Sequence, residues 1–124
     1  MPLVYVALGG AAGAVTRYVV DGWVADRAGG AFPWGTLAIN LSGSLVLGLL
    51  FALAIEHDLL PSTIRPPLMI GFLGAYTTFS TLMLESWRLL EDGAVGLALA
   101  NIVGSSVLGL AAVSAGLLLG RALA

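Results

Sequence analysis

The sequence predicts an all-α integral membrane protein with four transmembrane helices, the third broken in mid-membrane, and three observations carry that prediction. Of the 124 residues 59% are hydrophobic and 10% charged, with a mean hydropathy of +1.01, more apolar side chain than a soluble domain of this size can cover. The charges are segregated: none falls between Arg27 and Glu56, between Arg65 and Glu85, or between Asp92 and Arg121. Each interval is near or above the roughly 20 residues that cross a bilayer core. Finally, cysteine is absent and His57 is the single histidine, which excludes a disulfide scaffold and a thiolate or His-cluster metal site. Five arginines scattered singly leave no basic stripe for nucleic acid.

The first span is placed at 3–24. Met1-Pro-Leu-Val lacks the basic start of a signal peptide, so the segment reads as a mature helix. It carries Arg17 about a turn from Asp21, either a snorkelling interfacial arginine paired with that aspartate or a charge serving a polar path. The second span, 35–55, holds Asn40 inside Gly35-Thr-Leu-Ala-Ile-Asn-Leu-Ser-Gly43, where an amide makes an interhelical hydrogen bond or faces a polar path. The third span, 67–89, contains Gly71-Phe-Leu-Gly-Ala-Tyr-Thr-Thr-Phe-Ser-Thr-Leu82. Two glycines followed by four hydroxyl residues hold a helix poorly against competing side-chain bonds, and a break here is tolerable only where it lines a cavity or is buried in protein. The fourth span, 94–120, places Asn101 and Ser105 on one face with Ser106 beside them, a clasp between helices or another stretch of path. Short connections remain at about Ala25–Pro33, Glu56–Pro67 and Leu90–Gly93, so residues 1–124 form one membrane domain.

Two further patterns concern assembly. Small residues recur at four-residue spacing as Gly9/Gly13, Ser44/Gly48, Ser105/Gly109 and Ala112/Gly116/Gly120, which lets helix backbones approach closely. With four alternating spans, Arg65 and Arg121 lie on one face and Arg27 and Arg88 on the other, with Arg17 toward the second, and there is no lysine. That balance gives almost no positive-inside bias and predicts insertion in both orientations. Four thin helices hardly enclose a polar path alone, so transport implies an oligomer.

Gly9-Gly-Ala-Ala-Gly-Ala-Val-Thr-Arg-Tyr18, the Asn40 segment and Gly71 to Thr81 resemble, in order and spacing, three signature segments of the Fluc (CrcB) fluoride channel family, across essentially the whole chain. The resemblance implies an antiparallel, dual-topology homodimer in the cell inner membrane or plasma membrane, with two fluoride pathways and a structural sodium ion at the dimer centre. By motif position the sodium would be held by backbone carbonyls of Gly74 and Thr77, hard oxygen ligands suited to such a cation. The fluoride pathway maps onto Phe79, Ser80 and Thr81 with Asn40 near one end, and onto Ser105 or Ser106 on the fourth helix. Arg17 matches a first-helix arginine, and Glu85 a carboxylate near a vestibule. One position departs from the family pattern: Leu82 stands where a second phenylalanine is usual, so one electropositive ring edge per pathway is lost.

Fluoride is small and strongly hydrated, so a path of Ser, Thr and Asn donors has to replace its water. No nucleotide loop and no mid-span proton-coupling carboxylate is present, which favours passive flow over pumping and over enzyme chemistry. The nearest rival is a proton-coupled exporter of the small multidrug resistance type, which needs a carboxylate in the first span where this chain has Arg17. A non-transporting scaffold would leave the clustered Thr77, Thr78, Ser80 and Thr81 without purpose, and an intramembrane hydrolase lacks a base near any serine.

Overall fold

The computed structural model describes residues 2–124. Helix α1 (Pro2–Ala28) is followed by α2 (Trp34–Leu50), which runs on as wide, π-helical turns over Phe51–Glu56. The third span begins with a second set of π-helical turns, Pro66–Phe72, passes into the single turn α3 (Leu73–Tyr76), breaks, and resumes as α4 (Ser80–Glu91). Helix α5 (Val95–Leu123) closes the fold. Four of these helical stretches are long and apolar enough to cross a membrane, and the chain is a multi-pass membrane protein.

The outer helices overrun their sequence-predicted ends. The first continues through Ala28 because Arg27 stacks 4.0 Å above the Trp23 ring and donates to the Trp23 carbonyl, holding the last turn. The fourth reaches Leu123, where Arg121 grips Glu56 with two hydrogen bonds of 2.8 Å and ties the chain's end to the end of the second span. Across the connection between them, Arg65 pairs with Asp58 and caps the Leu60 carbonyl.

Two glycine seams hold the bundle. A Cβ at Gly48 would strike the Val113 carbonyl, and one at Gly116 the Leu45 carbonyl, so α2 and α5 meet backbone to backbone. Gly120 lies against Ala52 and the Leu49 carbonyl on the same seam. The second seam joins α1 to the third span: Gly9 lies on Pro67, Gly13 on Phe72, and Gly71 on Val6. Gly71, expected to help break the helix, is therefore a packing residue. Gly109 makes no such contact within the chain: among the described residues nothing lies within 4 Å of its would-be Cβ. Ile39, Leu73 and Tyr76 form the buried core between the seams, with Phe72, Val20 and Leu50 packed around them.

Between α4 and α5, Asn101 is wholly buried and its Nδ2 donates to Ser86 Oγ at 2.9 Å, while Ser86 donates to the Leu82 carbonyl at 2.7 Å. Of the two readings of Asn101, the structure shows the clasp between helices. Ser86→Ala leaves an amide N–H without its acceptor, a loss of about 1 kcal/mol for interhelical bonds of this kind. The expected result is a lower melting temperature of the detergent-solubilised protein with unchanged preference among transported anions.

Candidate ion pathway

The break in the third span is built by side chains. Thr77 is extended (φ −83°, ψ 157°), and both its N–H and its hydroxyl donate to the Leu73 carbonyl, at 3.1 and 2.9 Å, closing α3. Two residues are then needed before a new helix can start. Asn40 from α2 accepts the Thr78 N–H on Oδ1 at 2.8 Å and donates Nδ2 to the Thr78 carbonyl at 2.9 Å, pairing with the broken backbone as a neighbouring strand would. The Thr78 hydroxyl accepts the Thr81 N–H at 3.3 Å and donates to the Thr81 hydroxyl at 3.1 Å, capping the start of α4. On the far side, Ser42 bonds the Tyr76 hydroxyl at 2.9 Å and holds α3 against α2.

The freed carbonyls meet different fates. Arg17 Nε reaches the Ala75 carbonyl at 3.2 Å, and no carboxylate pairs with it among the described residues, so of its two readings the pairing with Asp21 does not form. Among the described residues, the Gly74 and Thr77 carbonyls accept no hydrogen bond.

Those two residues line a groove of about 570 Å³. Asn40, Phe79, Leu82, Ser105 and Ser106 also line it, so residues from the second, third and fourth spans converge there. Phe79 stands into it at 73% exposure, whereas Leu82 is packed away at 8%. Ser105 is buried, and its hydroxyl has no partner. Ser80 and Thr81 do not line the groove: Ser80 is exposed beside it, and the Thr81 hydroxyl is engaged by Thr78. Arg17 and Glu85 also lie outside it. Glu85 faces a separate recess of about 280 Å³ with Arg88 and Asp92, its Oε1 buried and unpaired.

Sequence reasoning missed Thr78, Tyr76 and Ser86 as polar partners of Asn40, Ser42 and Asn101. Thr78 alone had a local signal, a threonine three residues ahead of Thr81 at a helix restart.

Comparison with known proteins places the chain in a family. The family described as CrcB-like protein, Camphor Resistance (CrcB), matches residues 4–117. A protein of Hahella chejuensis named Fluoride-specific ion channel FluC is 52% identical, covering 96% of this chain and 94% of its own length. Its namesakes from Magnetococcus marinus and Citrifermentans bemidjiense are 47% and 45% identical, each covering 98% of both chains. With the family match spanning nearly all four helices and such identity end to end, this chain belongs to the CrcB/FluC fluoride channel family, whose members are channels and not enzymes.

Proposed function

We propose that the protein is a passive fluoride channel that relieves fluoride toxicity, working as an antiparallel homodimer with two pathways. The observation that carries this reading is the groove: hydroxyl and amide donors beside an exposed aromatic ring, at a break in a membrane-spanning helix. Hydroxyl O–H groups and the electropositive edge of Phe79 replace fluoride's water at low cost, and a narrow rigid wall offers a larger anion less.

Pairing is supported by what the single chain leaves open. Gly74 and Gly109 are uncovered at the groove and Ser80 is exposed beside it, and lipid against that face leaves the Gly74 and Thr77 carbonyls without partners. A second copy covers that face. Antiparallel pairing is supported by the balanced arginines and by the tryptophans: Trp23, Trp34 and Trp87 all sit at one end of the bundle and the other exposes Tyr5, so an inverted partner gives both membrane interfaces tryptophan anchors.

The chemistry of the break fits a structural sodium ion. Gly74 and Thr77 present hard carbonyl oxygens with no hydrogen bond, at the negative end of a half-helix, and would hold the ion with their counterparts in the second copy. When bound, a central cation supplies positive potential to both anion paths.

Purified protein in liposomes should release fluoride down its gradient without a proton gradient and retain chloride; no efflux from folded dimers overturns the channel reading. Leu82→Phe is expected to change the fluoride rate, because a ring in place of a packed leucine restores a second aromatic edge. An unchanged rate shows that this position does not contact the ion.

A further inference from the structure

Two of the chain's three methionines, Met69 and Met83, line the groove, one before the break and one after it. Met83 N–H donates to the Phe79 carbonyl at 3.0 Å, so its side chain stands one turn beyond Phe79 on the same stripe of α4. It is only partly buried, whereas Leu82, Ser86 and Leu89 turn into the core. The residue that continues the line of Phe79 along the groove is therefore a thioether, which has no hydrogen to donate and accepts weakly.

That neutrality matters because free donors are scarce here. Asn40, Thr77, Thr78 and Ser106 already donate to protein oxygens, whereas Ser105, only 8% exposed, has an unpartnered hydroxyl. A strong acceptor placed in the same groove would take that O–H from an anion and turn a negative oxygen toward the path.

We propose that Met83 is an oxidation site whose conversion to the sulfoxide shuts the pathway. The step needs a peroxide: an S–O bond forms as the O–O bond breaks, the sulfur loses two electrons, and the peroxide is reduced to water. Hydrogen peroxide is neutral and little larger than water, so it reaches the sulfur along the groove. The proposal rests on the reading of this groove as the fluoride path.

The test treats purified protein in liposomes with hydrogen peroxide, measures fluoride efflux, and maps added oxygen on Met69 and Met83 by peptide mass. Wild-type efflux is expected to fall about tenfold as Met83 oxidises, the worth of one donor to a charged ion. Met83→Leu, a volume-conserving exchange, should keep its own untreated efflux after the same exposure. In Met69→Leu protein Met83 is the one thioether left among residues 2–124, so efflux should fall in step with the fraction of Met83 sulfoxide, a result that stands even if Met83→Leu does not fold. Efflux that survives complete oxidation of Met83, or a folded protein in which peroxide never reaches Met83, overturns the proposal and leaves the channel reading intact. Absence of efflux before any treatment overturns the channel reading and the proposal with it.

Discussion

Asn40→Leu is expected to lower fluoride efflux from liposomes at least about tenfold and to lower the melting temperature of the protein. The substitution keeps nearly the same volume but strips both partners from Thr78, whose N–H and carbonyl are otherwise bonded only to that one amide. Leaving a buried donor and acceptor unsatisfied costs about 1 to 3 kcal/mol each. The backbone recovers that loss most cheaply by winding the break into helix, which carries Phe79 and the Thr77 carbonyl away from the groove. Asn40→Asp distinguishes this account from direct contact with the ion. It preserves the acceptor for the Thr78 N–H while adding a charge that repels an anion, so it should retain more stability than leucine while passing no more fluoride. Leucine protein with wild-type melting and wild-type flux would mean that the break holds itself open.

A still larger effect on folding is expected at Gly13. Any side chain there drives its Cβ onto the Phe72 carbonyl and within 3.0 Å of the Phe72 Cα, and a backbone cannot swing aside as a side chain can. Gly13→Val should cost about 3 kcal/mol or more, enough to abolish recovery of monodisperse protein. Gly22, on the same helix with nothing within 4 Å, is the control: Gly22→Ala should be tolerated or stabilising, since alanine is the better helix former by about 1 kcal/mol. Equal yields from the two variants would show that α1 packs elsewhere.

The contrast between those glycines shows what could be read from the chain and what could not. The spans were legible because charge exclusion from lipid is a one-dimensional rule, visible between Arg27 and Glu56 without any knowledge of packing. The break was legible from Thr77 and Thr78, whose hydroxyls compete with their own backbone. Gly71 was not: it was read as a breaker and packs on Val6, because spacing along a helix does not tell which neighbour stands opposite. The partner of Arg17 was not legible for a related reason. Asp21 is close in sequence, whereas the Ala75 carbonyl becomes an acceptor only because a helix ends there, a fact of tertiary structure. Asn40 was picked out as polar at depth, but that it bonds one residue's backbone twice needed Thr78 to be extended beside it.

The π-helical turns at Pro66–Phe72 give the third span a property of timing around its own axis. An α-helix turns about 100° per residue, and widened turns shift that phase for everything beyond them. The compass bearing of the Gly74 and Thr77 carbonyls is therefore fixed by how many residues lie upstream and how loosely they are wound, with Pro66 and Pro67 unable to donate the bonds that would tighten the winding. Gly71 in this stretch is held to glycine by its contact with Val6, and the length of the stretch is held as firmly. Removing one residue between Pro67 and Phe72 rotates the break like a misaligned key relative to the groove that Gly74 and Thr77 line.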